Sequence, residues 1–291
     1  MRKVRFGFIV AMLALVFSSA CGGTTSPTSP SPVEPGPNPG PAPLPTPAMQ
    51  PGVHYGSDIT ASDRGDIDLA FSLSEGFWGG SSISVFAYST IDSVLAAYVE
   101  ACRCSPPLDS RRSLESGFEA TAPNVLMVWV ANAFHAFNPE TRIGALIHTM
   151  HHAMQRGFTN GFIGPVWMIE GGAEYATVHG VRSIEAHHQF LRDEARSLNF
   201  TLAELETYGS NDGFTHPFGR APYCLGHFAT DLLVSRRGRS AILEYWRTLG
   251  SNLARGINSD AAWRAAFQSV FGISVVDFYA DFEAYRSRGF Q

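Results

Sequence analysis

Charge is scarce in this chain. Only 16% of its 291 residues are Asp, Glu, Lys or Arg, the formal net charge is −5, and no basic run longer than a short cluster such as Arg2, Lys3 and Arg5 occurs. Nucleic acid is recognised by clustered positive charge, so that class of partner is excluded. Long apolar runs are missing as well: Phe6 to Phe17 is too short for a membrane span of roughly 20 residues. No internal repeat is evident, which excludes a solenoid. Cysteine is sparse. Apart from Cys21 there are Cys102, Cys104 and Cys224, an odd number. Cys102 and Cys104 are too close in sequence for a comfortable mutual bridge. Either one of them pairs with Cys224 after export, or all three stay as buried thiols.

What is present divides the chain into three parts. Residues 1–20 read as an export signal: a positive start, the apolar run to Phe17, and small residues leading into Cys21. Small residues before a cysteine match a lipoprotein signal, which would make Cys21 the lipidated anchor on a membrane. An ordinary cleaved signal is the plainer alternative. Residues 21–52 hold eleven of the eighteen prolines and almost nothing apolar. Such a segment is an extended spacer, holding a body away from a membrane surface. The body, residues 53–291, is then expected outside the cytoplasm, tethered to the cell membrane or the outer membrane.

Within the body, Ser82 to Tyr88 alternates and Asn124 to Val130 is rich in β-branched residues, so both are expected as strands. Ile67 to Leu73 is expected as a third. Thr90 opens a helix to about Glu100, and the polar stretch from Cys102 to Ala122 is expected as loop. After Phe137 the signals are helical. Asn138-Pro139-Glu140 starts a helix that Arg156-Gly157 is expected to close. Further helices are expected at about Val166 to Val178, Ser183 to Leu198, Tyr223 to Arg237, Ser240 to Leu249, Asp260 to Phe271 and Val275 to Arg286. Thr201 and Glu204 form a capping box for a short one ending at Gly209, and Asn211 to Pro222 is expected as loop. The fold class is α+β: a small sheet in residues 53–137, then a helical half in 138–291.

The chemistry concentrates in that helical half. His148 and His152 stand four apart on one helix, and Glu170 lies on the next, in Pro165-Val166-Trp167-Met168-Ile169-Glu170-Gly171-Gly172-Ala173-Glu174-Tyr175. Two histidines and a glutamate are the ligand set of a catalytic zinc site. Glu174 shares the face of Glu170 and is placed to orient a ligand histidine. Gly171 and Gly172 carry no bulk, which lets the second helix lie close to the first. Pairs of histidines four apart also arise by chance, and Glu170 with Glu174 could be a solvated face. The signature H-E-x-x-H puts a general base after the first histidine; here that residue is Thr149. Thr149 and His151 flank the pair on opposite sides.

These residues resemble a gluzincin zinc metallopeptidase of the peptidase MA-like family, from the histidine helix and the Pro165–Tyr175 motif to Phe271-Gly272-Ile273-Ser274. The resemblance implies a zincin-like fold, zinc on His148, His152 and Glu170, Glu174 behind them, and a peptide or protein substrate. It makes Tyr223 a candidate oxyanion donor; the alternatives are a tyrosine packed at a helix start, with His216 or His227 in the donor role. The departure is Thr149, whose hydroxyl is no base near neutral pH, while His151 projects from the other flank. Three functions follow: an exported zinc peptidase with impaired chemistry, an inactive relative that binds peptides or acts in the cell envelope, or a helical scaffold with packed histidines.

Overall fold

The computed structural model describes residues 50–79, 82–106, 110–115, 117–120, 122–161, 164–181, 184–206 and 218–291. The export signal, Cys21, nearly all of the spacer and His216 lie outside them. A four-stranded mixed sheet comes first. Its strands are β1 (Gly52–Tyr55), β2 (Ser84–Tyr88), β3 (Phe118–Glu119) and β4 (Val125–Trp129), in the order β1-β2-β4-β3. β2 runs parallel to β1 and to β4, while β3 is antiparallel to β4. Period-two alternation gives the sheet two buried faces. Val85, Ala87, Leu126 and Val128 join the main core; Phe86, Val125 and Met127 join a smaller one with Val94, Tyr98 and Leu114.

The segment between β1 and β2 corrects one expectation. Ile67 to Leu73 lies inside helix α1 (Ala61–Trp78), capped by the Thr60 hydroxyl accepting from the Asp63 amide at 3.2 Å. Apolar residues at 67, 69, 71 and 73 mimic a strand, but the buried positions Asp63, Ile67, Ala70, Ser74 and Phe77 follow helical spacing. Leu69 is left exposed. Helix α2 (Ile91–Cys102), capped by Thr90, covers the smaller core. The stretch expected as loop holds a short helix α3 (Ser110–Leu114) and β3. The cysteines differ too: Cys102 bridges Cys104, and Cys224 is free and buried. Arg103 between them adopts a left-handed conformation (φ 53°), which folds the chain back and sets the two Cα atoms 5.2 Å apart.

After α4 (Asn132–Ala136) the chain is helical: α5 (Pro139–Thr159), α6 (Val166–Gly180), α7 (Ile184–Ser197), a 3-10 turn (Glu204–Glu206), α8 (Ala221–Arg237), α9 (Ser240–Ala254), α10 (Ser259–Phe271) and α11 (Val275–Ser287). None is long and apolar enough to cross a membrane among the described residues. α5 starts as expected, with Asn138 accepting from the Thr141 amide at 3.0 Å. It runs past Gly157. That glycine serves a close approach instead, since a Cβ there would sit 1.9 Å from Asn124 Oδ1. Thr141 to Gln155 are all buried, so α5 is a central helix rather than one with a single apolar stripe. Arg142, bonded to Asp66 at 2.7 Å and to the Phe137 carbonyl at 3.1 Å, ties its first turn to α1.

α6 is anchored at its start by Trp167, fully buried, whose Nε1 donates to Tyr279 Oη at 3.1 Å. Its two glycines have different neighbours. Gly172 faces α5, where a Cβ would lie 2.9 Å from His151 Nε2. Gly171 instead meets Gly226 of α8: a Cβ on Gly226 would lie 2.1 Å from the Trp167 carbonyl oxygen. α6 is thereby wedged between α5 and α8.

Candidate metal centre

His148 and His152 sit one turn apart on α5, with ring centroids 4.7 Å apart and rings nearly perpendicular. Glu170 reaches them from α6. Its Oε2 lies 3.4 Å from His148 Nε2 and 3.3 Å from His152 Nε2. All three side chains are buried, and their donor atoms fall within 4.8 Å of one another.

Groups on the far side of each ring settle where its proton sits. Gln155 donates through Nε2 to the Ile169 carbonyl at 3.0 Å, which leaves its Oε1 to accept from His152 Nδ1 at 2.8 Å. Glu174 Oε2 stands 3.4 Å from His148 Nδ1. With Nδ1 protonated on both rings, each Nε2 turns a lone pair toward Glu170. Two lone pairs and a carboxylate oxygen at that range repel unless positive charge stands among them. In the metal-free chain a proton on His148 is favoured there. Burial by itself lowers the His148 pKa, but hydrogen bonds with Glu170 and Glu174 hold it above the usual histidine value. Burial likewise pushes the Glu170 carboxyl up, yet the charges and hydrogen bonds of His152 and His148 keep it below the carboxylate range.

A divalent metal fits the same demand. Zinc bonds of about 2.0–2.2 Å in a tetrahedron place ligand atoms roughly 3.3–3.6 Å apart, and the separations of Glu170 Oε2 from the two Nε2 atoms, 3.4 and 3.3 Å, are of that size. The donor set of two imidazoles and one carboxylate suits zinc, and both histidines are held in the tautomer that offers Nε2.

The other expected residues among the described ones lie on α5 and α8. The buried Thr149 turns its hydroxyl onto its own helix, donating to the Ala145 carbonyl at 2.8 Å. Tyr223, near the start of α8, lies alongside His148 with centroids 5.9 Å apart and planes 25° from parallel. His151 packs against Trp78 at 4.9 Å, and burial, with the charges of His152 and His148, drives its pKa well below the usual value. His227 sits with Tyr175, His179 and His188. One residue escaped the sequence reading. His187 of α7 donates through Nε2 to Glu174 Oε1 at 2.6 Å, and it stands seventeen positions after Glu170, at no recognisable motif spacing.

No family model and no curated protein matches the chain. Solved structures do match, among them the M1 zinc metallopeptidase from Deinococcus radiodurans and a glutamate-to-alanine mutant of it. Both are 13% identical over 80% of this chain, with TM-scores of 0.41 and 0.43. The matches cover 46% and 47% of those chains, so this chain spans about half the length of the proteins it matches.

Proposed function

We propose that this chain is an exported, lipid-anchored zincin-like protein of the gluzincin kind. It holds zinc on His148, His152 and Glu170, and its power to hydrolyse peptides is severely impaired at Thr149. The observation that carries the reading is the convergence of both Nε2 atoms on Glu170 Oε2 at 3.4 and 3.3 Å, with each ring's other nitrogen facing a polar partner. The chemistry a zinc ion supplies in such a site is polarisation of a carbonyl and a lowered pKa of bound water. Glu174 orients the His148 ring, Gln155 that of His152, and Tyr223 stands beside His148 as the donor to a developing oxyanion. No proton acceptor follows His148 in the chain: the Thr149 hydroxyl is engaged with the backbone, and His151 faces Trp78.

That engagement of Thr149 favours a second reading. A zincin-like fold without its base would serve as a peptide-binding or interaction module at the cell envelope, the anchor on Cys21 keeping it there. Metal content tests the shared premise. Purified protein should carry stoichiometric zinc, and His148→Ala should carry almost none while keeping its helical circular dichroism. A metal-free wild type after zinc loading would leave only a helical scaffold with packed histidines.

A further inference from the structure

We infer that His187 is a positioning residue of the metal centre, acting on the His148 ring through Glu174. This rests on the reading of His148, His152 and Glu170 as zinc ligands. Glu174 is a buried carboxylate between two imidazoles from different helices. Its Oε2 faces His148 Nδ1 at 3.4 Å, and its Oε1 accepts from His187 Nε2 at 2.6 Å. The second contact is the short one. A carboxylate accepts only, so His187 is the donor, and a charge-assisted bond of that length fixes the plane of the carboxyl group.

With one oxygen held by α7, the other is presented to His148 in one direction. The ring is then held with Nε2 toward Glu170 before any metal arrives. α7 supplies no ligand, yet this bond makes it part of the site. Outer partners of metal-binding histidines typically change metal affinity by about 10–100-fold, and a residue one step further out belongs at the low end.

The experiment measures zinc dissociation constants on the full-length protein by competition with a chromogenic chelator, together with the absorption spectrum of the cobalt-loaded form. His187→Leu should weaken zinc by about tenfold and alter the cobalt spectrum. His187→Gln, which keeps a donor, should restore most of both. In a Glu174→Gln background the Leu substitution should have almost no further effect. Wild-type affinity in His187→Leu overturns the inference, as does an equal loss with and without Glu174. Failure of the wild type to bind zinc overturns the metal reading itself, and this inference with it.

Discussion

Two groups of histidines lie along α6, and each contains a fully buried ring. His148 on one side and His227 on the other are both fully buried. α7 serves each in turn, with His187 bonded to Glu174 and His188 packed 5.2 Å from the His227 ring. The difference is carboxylates and hydrogen bonds. His148 lies between Glu170 and Glu174, and His152 is bonded to Gln155. Neither ring nitrogen of His227 has a hydrogen-bond partner among the described residues, and Asp231 accepts from Tyr285. Burial by itself therefore makes neutral histidines. A metal-binding pair needs, in addition, an acceptor behind each ring and an anion in front.

The sharpest way to test the first region is to restore what it lacks. Thr149→Glu should raise zinc-dependent peptidase turnover by about 10²–10⁴-fold on fluorogenic peptides. Zinc binding without any gain would point to a remodelled cleft and favour the binding module. A smaller effect should come from the crossing on which both regions depend, since α6 carries Glu170 and Glu174 as well as Tyr175 and His179. Gly226→Ala forces a Cβ to within 2.1 Å of the Trp167 carbonyl oxygen, a backbone atom that cannot rotate away. We expect a loss of about 3 kcal/mol in chemical denaturation, the upper end for overpacking; unchanged stability would show that the close approach is not required. Smaller again is Gln155→Leu, which removes the acceptor behind His152. Zinc affinity should fall by about 10–100-fold, whereas His227→Leu should leave it unchanged. Equal losses in the two variants would erase the distinction between the regions.

The site was legible because its signals are local. His148, His152, Glu170 and Glu174 lie on two consecutive helices, and the Asn138-Pro139 start and the Pro165-Val166 start fix their phase. The Thr201–Glu204 cap is also formed. What escaped depends on partners distant in sequence. His187 gains meaning only when α7 folds back on α6, and β1 only when it pairs with β2 thirty-two residues later, Gly52 opposite Ser84. Gly171 was assigned to the wrong neighbour for the same reason: sequence shows that a glycine permits close approach but not which helix approaches. Ile67 to Leu73 failed differently. Leu69 and Phe71 complete a false period of two, and the Thr60–Asp63 cap that contradicts it lies upstream.

The finest distinction between the two regions is their response to acid. Burial holds the His227 pKa well below its ordinary value near 6.5, with the Glu174 charge opposing and those of His188 and His179 reinforcing the shift. Such a group binds fewer protons folded than unfolded, so its stability is complete above pH 6.5 and is lost as the pH falls below it. His187 behaves in the opposite sense: burial lowers its pKa, but the hydrogen bond to Glu174 and the charges of Glu174 and Glu140 together raise it, so its contribution is present below pH 6.5 and is lost as the pH rises through the folded value. Between pH 6.5 and 5 the His187 contribution is therefore retained while that of His227 falls, by up to about 1.4 kcal/mol per pH unit. His227→Leu should make the pH dependence of unfolding free energy shallower across that window, the part due to His151 remaining, and His187→Leu should not. Denaturant titrations of the zinc-free proteins at pH 7, 6 and 5 read this directly. Parallel slopes for wild type and His227→Leu would mean that His227 is not kept neutral, and that the second group shares the charged character of the first.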